Sequence, residues 1–299
     1  MLQNVWTGES FPVNSPNIAT KLNSADKEYH KLLADILEEG IWKENRTGTK
    51  TISIFGPQVK YSDVGNKFPL LTTKKVHLKS IIGELLWFLE GSTDKKRLKE
   101  HYGTSIWDEW NAPDPKFEGD MGPIYGHQWV NFNQEGVNQI QNVINTLKTN
   151  PDDRRMIVSA WNPLQLDKMA LPPCHWSFQF YTQQIPNEEK RRLHIKMNIR
   201  SWDVFLGGPF NIASYAILLL MMAHEVDMIP GDLIISAGDA HIYENHLEYI
   251  YKQLNRESKA KEPVMKLNQT KSFWEFTPED FILEDYECHP NWRNVPIAV

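Results

Sequence analysis

Between positions 213 and 227 this 299-residue chain reads ASYAILLLMMAHEVD, apolar on nearly every side of a helical projection. A surface helix keeps a polar face, so the segment predicts a helix that is buried all round. Its strongly apolar run, residues 215–223, falls far short of the roughly 20 residues needed to span a bilayer. The cover for this helix therefore has to come from the rest of the protein.

Leu32, Leu33, Ile36 and Leu37 recur at helical spacing ahead of Gly40, a good stop signal. Residues 78–90 (LKSIIGELLWFLE) are apolar at 78, 81, 82, 85, 86 and 89, which predicts a core-facing helix with one carboxylate, Glu84, among apolar neighbours. Residues 241–257 predict an amphipathic helix through Tyr243, Leu247, Ile250 and Leu254. Strands are predicted over 51–55 (TISIF), 156–161 (MIVSAW), 176–182 (WSFQFYT) and 193–199 (LHIKMNI), the last two forming a hairpin across a charged loop. Residues 108–122 are rich in Pro, Gly and Asp and predict a loop, and residues 1–22 an extended arm. The sum is an α+β fold, a mixed β-sheet covered by several long helices in a single domain.

A formal net charge of -6 argues against duplex DNA as a partner, since such binders carry a basic face, but leaves room for a small anion held by a few arginines. Two cysteines, Cys174 and Cys288, are too few for a disulfide framework, and no C-x-x-C or His/Cys cluster suggests a metal. The opening MLQNVWTGES lacks the features of a signal peptide. These features lead us to expect a soluble, cytoplasmic protein with free thiols, no metal and no membrane partner.

Five groups of residues could carry chemistry. Cys174 lies in LPPCH (171–175) just before a strand, its backbone preset by two prolines. A thiol there is a nucleophile only as thiolate, which needs positive charge nearby; taken alone it reads as a small buried hydrophobe. Arg46, Arg154, Arg155, Arg200 and Ser201 stand at strand ends, and guanidinium forks suit phosphate, although any one of them also reads as solvated surface. In DVFLGGPFN (203–211), Asn211 opens the apolar helix, either as its N-cap or as an amide that reads a planar ligand. His241 and Tyr243 stand two apart at the predicted start of a helix. Tryptophans in IWDEW (106–110) and PIYGHQW (123–129) suit either stacking on a flat ligand or the core.

LPPCH and RSWDVFLGGPFNIASYA (200–216) resemble thymidylate synthase. The resemblance runs from about Asp26 to Val299 and takes in NRTGT (45–49), ELLWFL (84–89), YGHQW (125–129), DRRMIVSAWN (153–162), GDAHIY (238–243) and the tail Pro296-Ile297-Ala298-Val299. It implies a catalytic domain over 26–299 behind an extension of residues 1–25, paired as a homodimer through one face of its sheet. Its implied substrates are dUMP and 5,10-methylenetetrahydrofolate. By the same resemblance Cys174 adds to C6 of uracil, and Arg46, Arg200 and Ser201 hold the phosphate with Arg154 and Arg155 from the other subunit. Asn211 reads the O4 and N3 edge, where an Asp would favour cytosine. His241 and Tyr243 hold the sugar hydroxyl, Glu84 relays protons near O4, and Tyr125 helps remove the C5 proton. His77, Trp107 and Asp203 bind the folate, and Val299 closes over it.

The chain departs from the family pattern at Trp176, Ile199, Trp202 and Gly208, where the family has respectively a small or medium residue, a glutamine, a small residue and an aliphatic one. A deoxyuridylate hydroxymethylase shares the nucleophile but ends with water in place of hydride; Trp107, Leu171 and the Ala-Val tail favour the synthase. A nucleotide-binding protein without chemistry would keep its function in Cys174→Ala. A cysteine hydrolase would need a histidine beside Cys174, and His175 is expected on the opposite face of its strand.

Overall fold

The computed structural model describes residues 2–11, 21–113, 120–259 and 261–297. Among them seven α-helices pack with a seven-stranded mixed sheet, an α+β fold. The strands are β1 (Leu2–Gln3), β2 (Ser10–Phe11), β3 (Ile41–Lys43), β4 (Thr51–Phe55), β5 (Gln58–Tyr61), β6 (Ile157–Ser159), β7 (His175–Gln183), β8 (Arg192–Asp203), β9 (Ile229–Tyr243), β10 (Val264–Leu267) and β11 (Phe281–Glu284). The helices are α1 (Ser24–Glu39), α2 (Leu78–Leu89), α3 (Lys95–Tyr102), α4 (Tyr125–Val130), α5 (Gln139–Thr149), α6 (Gly208–Glu225) and α7 (Leu247–Leu254). None is long and apolar enough to cross a membrane.

The main sheet runs β3-β4-β9-β8-β7-β6, with β5 also on β9. Its neighbours are antiparallel except β8 and β9, which are parallel. Parallel strands need a crossover, and α6 is that crossover. It lies between the sheet and α2, so both of its sides are covered, as an all-apolar sequence requires. It begins at Gly208, five positions before the start predicted at 213, because Pro209 is tolerated in the first turn of a helix.

One face of the sheet carries the core: Val158, Phe178, Phe180, Ile195, Met197, Leu233 and Ile235 are all buried. The other face, with Ile157, Gln179, Tyr181, His194 and Lys196, has no helix over it among the described residues, and Ile157 and Tyr181 remain exposed. This alternation changes phase at Arg200 and Gly238. In β8 residues 193, 195, 197 and 199 are buried and then 202; in β9 residues 233, 235 and 237 are buried and then 240 and 242. The strands approach so closely there that a Cβ on Gly238 would lie 2.7 Å from the Arg200 carbonyl oxygen. Beyond the kink Ser201 and Asp203 pair with Asp239 and His241, so these four share one end of the sheet.

Two expectations change. The helix predicted over 241–257 begins only at Leu247, because residues through Tyr243 belong to the 15-residue strand β9. Tyr243, Leu247, Ile250 and Leu254 mimic a helical stripe across a strand end and a short 3-10 turn. The N-terminal arm is not simply extended: β1 pairs with β2, and the buried Asn4 amide donates to the carbonyls of Leu37 and Gly40.

A buried carboxylate ties distant segments together. Asp26 accepts hydrogen bonds from the N–H and hydroxyl groups of Thr72 and Thr73 and from Ser258 Oγ. Gln253 donates to Thr73 Oγ1 and accepts from Trp292 Nε1.

Candidate active site

Cys174 is the last residue before β7. Pro172 and Pro173 have no N–H to commit, and their carbonyls accept from Arg200: Nη2 to Pro172 at 2.8 Å and Nε to Pro173 at 3.0 Å. The Arg200 backbone N–H donates to the Cys174 carbonyl at 2.8 Å. This three-point clamp leaves Arg200 Nη2 3.9 Å from Cys174 Sγ. Tyr125 Oη accepts the Cys174 backbone N–H at 2.9 Å. Burial pushes the thiol pKa up, and Arg200, the Tyr125 hydroxyl and Arg46 pull it back only in part. The positive charge expected beside the thiol is present, but desolvation outweighs it.

His175 faces away from this chemistry. It is buried, its Nδ1 lies 2.9 Å from Tyr215 Oη, and its ring stacks on Tyr125 at 4.1 Å. Burial lowers its pKa to about 3. It is no base for Cys174, and the cysteine-hydrolase reading loses its histidine.

Behind the thiol, Glu84 points from α2 toward Trp107, whose Nε1 donates to Glu84 Oε1 at 2.7 Å. Burial raises the Glu84 pKa to about 7 against the pull of that bond. Trp107 packs at 5.5 Å from Trp110 and 6.0 Å from Tyr125, so Glu84, Trp107, Tyr125 and Cys174 form one continuous wall. His77 is the residue at which α2 begins; it is exposed and makes no capping bond.

Asp203 closes the other side. Its Oδ1 accepts the N–H groups of Phe205 and Leu206, which folds the chain into α6. Asn211 sits in the first turn of that helix; Gly207 is the N-cap, so the capping role considered for Asn211 does not hold. The Asn211 amide makes no hydrogen bond among the described residues. His241 and Tyr243 stand on β9 with their rings edge-on at 5.3 Å, and His241 Nδ1 is held by Asp239 Oδ1 at 2.9 Å. Period 2 on a strand puts both on one face, which a helix start would not have done. Arg46, exposed in the turn after β3, is near enough to act electrostatically on both Cys174 and Tyr243.

The fold thus gathers Cys174, Arg200, Arg46, Tyr125, Glu84 and Trp107, with Ser201, Asp203, Asn211, His241 and Tyr243 along the adjoining strand and helix ends. It does not bring in Arg154 and Arg155. Both are exposed, and Arg154 is tied through its carbonyl to Gln179 Nε2, five residues along β7 from Cys174, about 15 Å at the rise of a strand. Val299 lies outside the described residues. The chain is followed to Ile297, and the Pro296 carbonyl is bound to His246 Nε2 at 2.8 Å, three residues beyond Tyr243.

Sequence reasoning passed over Lys74, whose buried Nζ donates to the Phe205 carbonyl at 2.6 Å and lies 4.1 Å from the Phe205 ring. Burial lowers its pKa to about 7, with Asp203 opposing. The only signal was a lysine pair in PLLTTKKV, which reads as surface. Tyr215, which engages His175, was missed as well, and Asp239, noted only as a neighbour of His241 in GDAHIY, orients that ring. No group of three or more His, Cys, Asp or Glu able to hold a metal occurs among the described residues. A family model described as thymidylate synthase matches residues 27–299 of the chain.

Proposed function

The chain belongs to the thymidylate synthase family, and we propose that it carries out the reductive methylation of dUMP to dTMP through a covalent bond between Cys174 and C6 of the uracil. Family membership supports dUMP and methylenetetrahydrofolate as its substrates. The observation that carries the reading is the clamp that fixes the Cys174 thiol 3.9 Å from the Arg200 guanidinium.

The nucleotide is held by its ends. Arg46, Arg200 and Ser201 take the phosphate, His241 and Tyr243 the sugar hydroxyl, and Asn211 the O4 and N3 edge with an amide that has no competing bond. Arg154 and Arg155 of the partner subunit complete the phosphate site, a role supported by their exposure and their distance from the thiol of their own chain. The uncovered sheet face, with Ile157 and Tyr181 exposed, is the surface for that pairing.

Cys174 gives up its proton and its sulfur bonds to C6, moving the C5–C6 π electrons toward O4. Glu84, with a pKa near 7, can give or take a proton at the O4 side at neutral pH. Tyr125, whose hydroxyl already touches the Cys174 backbone, stands on the C5 side to help remove the proton there. The C6–S bond then breaks and frees the thiol. The residues present fit a pterin: Asp203 uses Oδ1 for its own turn and keeps Oδ2 without a hydrogen bond among the described residues, and Trp107 offers a ring on the Glu84 side. Methylenetetrahydrofolate, when bound, supplies one carbon and then a hydride, and leaves as dihydrofolate.

The test is product analysis. Purified protein with dUMP and methylenetetrahydrofolate should give dTMP and dihydrofolate in equal amounts. Hydroxymethyl-dUMP with tetrahydrofolate would overturn the reductive step and establish a hydroxymethylase. No modified nucleotide at all would overturn both.

A further inference from the structure

Two of the departures from the family pattern touch each other. Trp202 is buried on β8, one residue before Asp203, and Gly208 is the first residue of α6. A Cβ built on Gly208 would lie 3.4 Å from Trp202 Nε1, 3.7 Å from Trp202 Cε2 and 3.6 Å from the Asp203 carbonyl oxygen. One methyl is ordinary contact; a bulkier side chain would start from atoms already against the indole. The indole N–H itself is buried and has no partner among the described residues. An unpaired buried donor is costly, so this tryptophan is held in place by shape, without the bond it could make.

Trp202 and Gly208 flank the turn that carries the recognition groups. Asp203 lies between them and closes the turn through the N–H groups of Phe205 and Leu206. Asn211 is three residues after Gly208, on the same side of α6. A Cβ on Gly207 would lie only 3.8 Å from Asn211 Oδ1, so the amide rests against the turn. Pushing position 208 away from the indole moves the first turn of α6, and Asn211 with it, relative to Asp203.

We propose that Trp202 and Gly208 form one packing unit that sets the distance between Asp203 and Asn211, so that folate and nucleotide recognition in this chain depends on the pair jointly. Both are positioning residues, and the inference rests on the function proposed above.

A size-swap cycle tests it, with Trp202→Ala, Gly208→Leu and the double variant. Each is assayed for dUMP affinity by calorimetry and for folate KM and kcat per titrated active site, with Tm recorded alongside. Each single change should weaken dUMP binding and raise folate KM by roughly tenfold or more, and the double variant should return both to within about threefold of wild type. Trp202→Phe, which keeps the bulk and drops the orphan donor, and Gly208→Ala, which adds only a tolerated methyl, should stay near wild type in KM and keep the test readable if a harsher variant does not fold. Additive effects in the double variant would overturn the proposal, as would singles that lower Tm but leave KM and affinity unchanged. Failure of the functional reading would show differently: the wild type itself would neither bind dUMP nor turn it over.

Discussion

Trp107 donates its indole N–H to Glu84 Oε1 across 2.7 Å, and that single bond joins the loop 106–110 to the helix whose carboxylate has been lifted to about 7. The carboxyl would titrate near 4.5 in the unfolded chain. Below that value both states are protonated and Glu84 has no effect on stability. As pH rises from 4.5 to 7 the unfolded chain ionises first, so folding loses stability, and above 7 the loss is complete. Glu84→Gln keeps an acceptor for Trp107 and removes the titration. It should raise stability at pH 8 by about 1–2 kcal/mol, discounted for partial exposure, with little change at pH 4. Turnover should fall by roughly a hundredfold or more. Thermal melts at the two pH values decide the point; an equal shift at both would count against a titrating Glu84.

Arg200 is the nearest positive charge to the thiol and works against its desolvation. Arg200→Gln should raise the Cys174 pKa further and slow its alkylation by iodoacetamide at pH 7 by about threefold to tenfold. Cys174→Ala supplies the background. An unchanged rate would mean that the guanidinium holds the loop without tuning the sulfur.

The Arg154 carbonyl is anchored to Gln179, five residues along the chain from Cys174, and Arg155 follows it in the same exposed segment. If they serve the partner's site, Arg154→Ala and Cys174→Ala homodimers should each be inactive, and mixing them under exchange conditions should regain activity, since one site of each hybrid is intact. Absence of any regain in a mixture shown by native mass spectrometry to contain hybrids would refute donation across the interface.

Gly126 lies in α4 against α2, where an added Cβ would fall 2.1 Å from the Phe88 carbonyl oxygen and 2.5 Å from its Cα. Backbone atoms cannot step aside, so Gly126→Ala should destabilise the protein by about 3 kcal/mol or more. Because Tyr125 precedes it, the folded remainder should also lose turnover. Urea denaturation read beside activity measures both, and a variant with wild-type stability would show that the two helices are free to separate.

Much of this was legible in the residues. Glu84 stood out because a carboxylate on an apolar helix face has to be explained, and α6 because a helix without a polar side must be enclosed. Arg46, Arg200, Asp203 and Asn211 could be named from their motifs, but their convergence depends on a kink at Arg200 and Gly238 that alternation in either strand alone does not announce. His241 and Tyr243 were placed on the wrong element, since a strand end followed by a short turn and a helix reproduces helical spacing by coincidence. Lys74 was invisible for a different reason: only tertiary packing decides whether a lysine is buried.

The carboxylate of Asp26 bonds to Ser258 across a sequence separation of 232, and Gln253 to Thr73 across one of 180. Links of such sequence separation form only after most of the polypeptide has condensed, which makes them slow to arrive. Until then Asp26 is a solvated charge at the start of α1, and burying it early would be unfavourable. The order of events is thereby constrained: α1 can coil at once, but it can settle against the sheet for good only when the segment around 253–258 has come home. A nick anywhere between the two ends of this clasp would leave every residue around Cys174 in the chain and still loosen their frame.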